Sequence, residues 1–107
     1  MSATTRARTA LVRAELVAAD LDACLVRGTD RFLNEYVPRA DSTRTWLTGF
    51  DGSTGEAFLP AAADQPGLLA VDGRYELQAE DQTRETAFEV EHVPLGESVW
   101  VRHCARV

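Results

Sequence analysis

Residues 46–75 decide the fold, and they read WLTGFDGSTGEAFLPAAADQPGLLAVDGRY. Two short apolar runs, residues 56–59 and 68–71, stand on either side of a Pro-Gly pair. Runs of this length around a turn signal predict a β-hairpin whose loop is longer than the tightest kind. A glycine-bearing corner flanks the hairpin on each side, residues 49–55 (the glycine loop) and Gly73, where an extended segment must change direction.

The segments before this stretch predict a helix followed directly by a strand. Apolar residues at three- and four-residue spacing predict an amphipathic helix over residues 4–20 that ends at Asp20, since aspartate tolerates the left-handed conformation. The apolar run 23–26 predicts a buried strand of a sheet covered on both faces, which indicates an α/β layered domain. The helix positions expected to face inward are Leu11, Val12, Leu16, Ala19 and Leu21.

Two further segments lie between that strand and the glycine loop. Residues 29–36 mix polar caps with apolar anchors and predict a loop with one helical turn. Asp41 and Ser42 supply an N-cap for a short helix that runs to about Trp46, with Trp46 and Leu47 packed inward.

The segments after the hairpin predict a helix and a final strand. Asp72 is placed to cap a helix over residues 74–80, where a carboxylate accepts N–H bonds and favours the dipole. Residues 87–93 alternate apolar and polar side chains, which is typical of a strand half exposed at a sheet edge. Residues 95–107 carry no clear pattern and stay unassigned. In the helix, the residues predicted to face inward are Tyr75, Leu77 and Ala79, and those predicted to face outward are Gln78 and Gln82.

Composition narrows the class of protein. A chain of 107 residues is one domain of common size, and 45% hydrophobic with 26% charged residues is ordinary for a globular protein. The net charge of −6, from 17 acids against 11 arginines without a lysine, argues against a nucleic-acid or anionic-membrane surface. No signal-like or long apolar segment is present, so a cytoplasmic, unanchored protein is expected.

The polar residues do not form a recognisable active site. His92 and His103 lack metal-ligand spacing with any cysteine or acid, and Cys24 and Cys104 are expected to be free thiols. Ser53 lacks the glycine spacing of a nucleophile elbow. The glycine loop could cradle an anion, but no lysine follows it; the other interpretations are a tight connection or a loop that presents its side chains. Composition and periodicity therefore leave the function open.

Residues 46–75 also resemble part of the N-terminal, non-catalytic domain of the Xaa-Pro aminopeptidases, in the creatinase and prolidase superfamily. Further matching pieces occur in the family's order and at about its spacing, from residue 8 to about residue 93. The pieces that carry the resemblance are Leu21-Asp22-Ala23, Thr29-Asp30, Asn34-Glu35-Tyr36, residues 46–55, Val71-Asp72-Gly73-Arg74-Tyr75 and Gln78-Ala79.

The resemblance implies a three-layer α/β domain with a mixed β-sheet flanked by helices, of ribonuclease H-like type. Residues 1–107 would be this single domain, with an atypical tail at 94–107. The family's pita-bread catalytic domain, with its dinuclear metal centre, commonly manganese, is absent from this chain. The chain alone would then be no enzyme and bind no cofactor, while its parent would be a metal-dependent Xaa-Pro aminopeptidase. The implied partners are that catalytic domain and a second subunit of a homo-oligomer, without nucleic acid or membrane.

The resemblance also implies where this domain would contribute to a substrate entrance. The positions nearest the entrance or the subunit interface would be Phe50, Asp51, Arg74, Tyr75, Asp30, Glu35 and Tyr36. For Arg74 two roles stay open: a contact to a carboxylate across the domain boundary, or a structural ion pair with Asp72, Asp51 or Glu76, which we favour. A free-standing binding or oligomerisation module is the alternative function.

Overall fold

The computed structural model describes residues 2–27, 42–52 and 55–94. These ranges form helices that alternate with the strands of one sheet. In chain order the elements are α1 (Ser2–Ala18), β1 (Ala23–Val26), α2 (Thr43–Thr48), β2 (Glu56–Pro60), β3 (Gly67–Val71), α3 (Glu76–Gln82) and β4 (Phe88–His92). The predictions for residues 29–36 and 95–107 lie outside the described residues.

The four strands form one mixed sheet in the order β1-β2-β3-β4. β1 and β2 pair antiparallel, as do β2 and β3, which confirms the predicted hairpin. Its turn lies at residues 61–65, where the Gln65 N–H donates to the Ala62 carbonyl at 3.2 Å, and Gly67 already belongs to β3, so the prediction that the Pro-Gly pair forms the turn was wrong. β3 and β4 pair in parallel, because α3 carries the chain back across the sheet between them. The predicted half-exposed edge strand over residues 87–93 is confirmed as β4.

Two groups of buried side chains form the core, and the strand register places them on the same face of the sheet. Ala57 lies opposite Leu69, and Leu69 lies opposite Val90, so alternate residues of three strands share that face. The first group is Leu47, Ala57, Leu59 and Phe88, and the second is Phe50, Leu69, Val71 and Ala79. Residues from α2, α3 and the glycine loop thus cover one face of the sheet.

The strand β1 departs from its prediction. It was expected to be buried on both faces, but it is the edge strand of the sheet, and its residues are only half-buried. Four apolar residues in a row do not distinguish a central strand from an edge strand, because neighbours along the sheet come from distant sequence. Cys24, a free thiol, lies on this strand, and partial burial raises its pKa.

α1 ends as predicted, but the helix face that packs against the rest of the protein is not the predicted one. Asp20 adopts φ 59° just after the helix, so the left-handed ending is confirmed. Leu11 and Leu21 are 65% and 54% exposed, whereas Thr5 and Thr9 are buried. The Thr9 hydroxyl can be buried because it donates a hydrogen bond to the carbonyl of Thr5 at 2.9 Å. Ala19 is exposed as well, so the inward prediction was wrong for Leu11, Ala19 and Leu21.

Two other inward predictions were also wrong. Trp46 is 42% exposed, with the guanidinium of Arg8 5.1 Å from its ring centroid, while Leu47 is buried as expected. Leu77 is 84% exposed, because the short helix α3 buries only Ala79. No helix within the described ranges is long and apolar enough to cross a membrane.

Candidate functional site

The glycine loop starts at a helix end that only glycine suits. Ser42 caps α2 as predicted, with Oγ accepting from the backbone N–H of Thr45 at 3.2 Å. At the other end Gly49 adopts φ 81°, and its N–H donates to the carbonyl of Thr45 at 2.9 Å. This left-handed residue turns the chain out of the helix without strain.

Phe50, predicted to face a substrate entrance or partner, points into the core instead. Its side chain is fully buried, and its ring meets the ring of Tyr75 edge-on, with centroids 6.1 Å apart. Its backbone is held on both sides: the N–H donates to Thr48 Oγ1 at 3.1 Å, and the carbonyl accepts from Thr45 Oγ1 at 2.9 Å. Phe50 is therefore an anchor of the glycine loop, not a surface contact.

Asp51 is exposed and is held by α3. Its Oδ1 accepts hydrogen bonds from Nε2 of Gln78 and Nε2 of Gln82, both at 2.9 Å. Its backbone N–H donates to Oε1 of Gln82 at 3.1 Å. The outward glutamines of the sequence prediction are thus the residues that fix the orientation of this carboxylate.

Arg44 was missed by the sequence analysis. It is 3% exposed, donates from Nη1 to the carbonyl of Gly55 at 3.1 Å and from Nη2 to the carbonyl of Gly52, and its guanidinium lies 5.0 Å from the ring centroid of Phe50. Burial lowers the pKa of Arg44, and the charges of Glu56 and Asp51 oppose that shift. The sequence did hold a signal for this role. The carbonyls of a glycine-rich loop need hydrogen-bond donors, and an arginine precedes the loop in the sequence.

Residues 72–75, the Asp72 corner, are fixed by an ion pair. Oδ2 of Asp72 lies 3.0 Å from Nη2 of Arg74, and Oδ1 accepts from the Arg74 backbone N–H at 3.0 Å. The Arg74 side-chain hydrogen bond lowers the pKa of Asp72. Asp72 does not cap α3 as predicted, because its carboxylate is committed to Arg74 and the residue before the helix is Tyr75. The guanidinium of Arg74 also lies 5.3 Å from the Tyr75 ring centroid.

His92 joins the end of β4 to α3, an arrangement the sequence analysis did not anticipate. Its Nδ1 lies 3.0 Å from Oε1 of Glu76, and its Nε2 lies 3.0 Å from Oε1 of Glu80. The signal was present: the two glutamates are four residues apart on one helix face, and strand alternation turns His92 toward α3. Hydrogen bonding to Glu76 is the main cause that raises the pKa of His92.

This pair of contacts predicts a pH-dependent stability. A protonated imidazole donates to both carboxylates, whereas a neutral one has a single N–H. Because the folded-state pKa of His92 is raised, the stabilisation is full below about pH 6.5, the unfolded value, and is lost as the pH rises through the folded pKa. Since the side chains are partly exposed, we expect a loss of no more than about 1 kcal/mol.

Urea unfolding at a series of pH values, for the wild-type chain and for His92→Gln, measures this loss. The variant isolates His92 from His103, the second histidine of the chain. We expect the free energy of unfolding to decline less above about pH 6.5 in the variant than in the wild-type chain. An identical decline in both proteins would show that a titratable group other than His92 causes it.

The structure brings four of the predicted site residues to one corner of the fold. Phe50 and Tyr75 contact each other, Asp51 is bound by α3, and Arg74 stacks beside Tyr75. The other three predicted residues, Asp30, Glu35 and Tyr36, lie outside the described residues. Across ranges 2–27, 42–52 and 55–94, no three His, Cys, Asp or Glu side chains are grouped to hold a metal ion. The described corner offers fixed polar groups for binding.

A family model matches most of the chain. The model of the Creatinase/Prolidase N-terminal domain matches residues 8–103. Among curated proteins, Xaa-Pro aminopeptidase 2 of Homo sapiens is 39% identical over 79 residues, which cover 74% of this chain and 11% of that protein. Xaa-Pro aminopeptidase ApepP of Drosophila melanogaster is 37% identical over 79 residues, 73% of this chain and 12% of that protein. The matched segment thus spans about a tenth of these relatives.

Solved structures share the fold. A Caenorhabditis elegans X-prolyl aminopeptidase, described as a cytosolic enzyme with a di-nuclear active site, matches with TM-score 0.62 and 30% identity over 72% of this chain and 12% of that chain. The N-terminal domain of the cytoplasmic peptidase PepQ of Mycobacterium tuberculosis matches with TM-score 0.60 and 30% identity over 80% of this chain and 56% of that chain. A Streptococcus pyogenes X-Pro dipeptidase N-terminal domain, 18% identical with TM-score 0.65 over 95% of this chain and 68% of that chain, supports the three-layer α/β fold alone.

Proposed function

Because this chain belongs to the Creatinase/Prolidase N-terminal domain family, we propose that it is the non-catalytic N-terminal domain of an Xaa-Pro aminopeptidase-type metallopeptidase. In this role the glycine loop and the Asp72 corner form one wall of the substrate entrance. The observation that carries the proposal is an exposed carboxylate whose Oδ1 accepts hydrogen bonds from two glutamines of α3. A group fixed before a ligand arrives binds it at a lower entropic cost.

The polar groups of this wall are suited to binding a peptide and not to catalysing its hydrolysis. Asp51 and Arg74 are exposed and of opposite charge, and each is fixed by neighbouring side chains, the former by Gln78 and Gln82 and the latter by Asp72. A carboxylate and a guanidinium so placed can orient the charged groups of a peptide. The hydrolytic chemistry would belong to the catalytic domain of the proposed parent, where a dinuclear metal centre, of manganese in this proposal, would supply an activated water for cleavage of the bond before a penultimate proline.

The proposed partners follow from the same assignment. They are the catalytic domain and a second subunit of a homo-oligomer in the cytoplasm, and they include neither nucleic acid nor a membrane. An alternative is a free-standing binding or oligomerisation module, favoured by the exposure of large apolar side chains on one side of the molecule, since such patches mark interaction sites. These side chains are Leu11, Leu21 and Trp46.

A hybrid enzyme tests the proposed role. In it this chain replaces the matching segment of the C. elegans X-prolyl aminopeptidase, and release of the first residue from an X-Pro peptide is measured with added manganese. We expect the hybrid to be active and the 107-residue chain alone to be inactive. In the hybrid, Asp51→Asn should raise KM about tenfold with kcat nearly unchanged, because it removes one charged contact that is equal in the ground and transition states.

Arg84→Ala is the matched control for that hybrid. Arg84 forms an exposed pair with Asp81, at 3.6 Å, so its loss should leave KM unchanged. An unchanged KM in Asp51→Asn would refute the proposal that Asp51 lies in a wall of the substrate entrance.

Activity of the isolated chain above a metal-only blank would refute the non-catalytic assignment. Light scattering of the isolated chain addresses the alternative, which predicts a stable homodimer.

A further inference from the structure

Arg44 is the one charged side chain that is buried among the residues the structure describes. Taking a guanidinium out of water costs several kcal/mol unless its hydrogen bonds and charge are compensated. An apolar residue of similar length could fill the same space beside Phe50 without that cost. The presence of an arginine therefore calls for a role beyond filling the core.

The guanidinium binds the glycine loop at its middle residue, Gly52, and at its last residue, Gly55. Nη1 donates to the carbonyl of Gly55 at 3.1 Å, and Nη2 donates to the carbonyl of Gly52. The planar fork of arginine suits two acceptors held side by side, which the single ammonium of lysine cannot match. Its Nε, although buried, has no hydrogen-bond partner in the described part of the chain, so the two carbonyls receive all of its hydrogen bonds there.

We infer that Arg44 is the positioning residue for Asp51. Asp51 stands between Phe50, whose ring packs beneath the guanidinium, and Gly52, whose carbonyl the guanidinium binds. Among the described residues, the carboxylate is held on its outer side by the neutral amides of Gln78 and Gln82, and these hydrogen bonds are exposed and so contribute little net stability. Arg44 fixes the backbone from within, and Gln78 and Gln82 then select the direction of the side chain.

The consequence for catalysis rests on the proposed function, whereas the positioning itself does not. If the glycine loop forms an entrance wall, loss of Arg44 weakens substrate binding without altering the reacting groups. Arg44 contacts no substrate in this arrangement and acts only through Asp51. The positioning of Asp51 and its effect on substrate binding can therefore be tested separately.

Native-state amide exchange tests the positioning in the 107-residue chain. The variants are Arg44→Met and Arg44→Lys, with exposed Arg84→Met as the matched control. The probes are the Asp51 N–H, bound to Gln82, and two reference amides of the sheet, Gly67 N–H and Val93 N–H. In Arg44→Met, exchange at Asp51 should accelerate about tenfold more than at the two reference amides, because local opening of the loop precedes global unfolding.

Arg44→Lys should give a smaller, still local acceleration, and Arg84→Met should give none. If Arg44→Met fails to fold, Arg44→Lys decides the question alone. Equal acceleration at Asp51, Gly67 and Val93 would show a general stabilising role and overturn the inference, as would unchanged exchange at Asp51.

The hybrid enzyme supplies the functional readout. There Arg44→Lys should raise KM with kcat unchanged, as expected for a lost ground-state contact. A hybrid with Arg44 intact that lacks activity would count against the proposed function, while the exchange result would still judge the positioning. A lowered kcat at unchanged KM in Arg44→Lys would overturn the inference.

Discussion

Replacing Phe50 by alanine is expected to lower the free energy of unfolding by about 3–5 kcal/mol, the cost typical of removing a large buried aromatic side chain. The ring is fully buried and packs with Leu69, Val71 and Ala79. The loss has two sources, the transfer of the ring to water and the cavity that rigid neighbours leave unfilled. The midpoint and slope of urea unfolding measure it.

Leu77→Ala is the control for this prediction. Leu77 is apolar as well but 84% exposed, so its truncation should change the free energy of unfolding by less than about 0.5 kcal/mol. If Phe50→Ala cost no more than Leu77→Ala, Phe50 would lie at the surface, as the sequence led us to expect, and the packing described above would be wrong.

Replacing Gly67 by alanine is expected to destabilise the protein by about 1–3 kcal/mol through overpacking. A Cβ at this position would lie 2.6 Å from Cε1 and 2.7 Å from Cδ1 of Phe88, which faces Gly67 across the parallel pair. Phe88 is 4% exposed and packs in the first core group, so its ring has little room to move. Thermal or urea unfolding of both proteins measures this change in the free energy of unfolding.

Gly73→Ala and a double variant provide the comparison. Nothing lies within 4 Å of a Cβ built on Gly73, so alanine there should be neutral or stabilise by up to about 1 kcal/mol through the unfolded state. Phe88→Leu should reduce the penalty of Gly67→Ala in a double-mutant cycle. Equal effects of Gly67→Ala and Gly73→Ala would show that the contact with Phe88 does not constrain the sheet.

These comparisons separate the glycines of residues 46–75 by their function in the fold. Gly49 and Gly55 adopt φ 81° and 135°, where an L side chain is strained, and Gly67 makes room for an aromatic ring. Gly73, which the sequence suggested as a glycine-bearing corner, has neither a positive φ nor a close neighbour. A glycine in a turn pattern thus marks a bend without showing whether its missing side chain matters.

Much of the fold could be predicted because its signals are local. The β2–β3 hairpin, the Ser42 cap and the left-handed Asp20 each depend on residues a few positions apart, and such short-range chemistry is readable in one sequence. The resemblance carried by residues 46–55 and 71–75 gave the family, and the family model confirms it.

The tertiary structure alone decided which side chains the site uses. Asp51 meets Gln78 and Gln82 across 27 and 31 residues of chain, and Arg44 reaches carbonyls 8 and 11 residues away. No periodicity links such positions, because burial and hydrogen bonding there depend on which elements become neighbours in the sheet and around it. The sequence by itself determined that residues 46–75 form a hairpin between two bends. Packing determined that Phe50 anchors the first bend from inside, while the next residue, Asp51, is exposed.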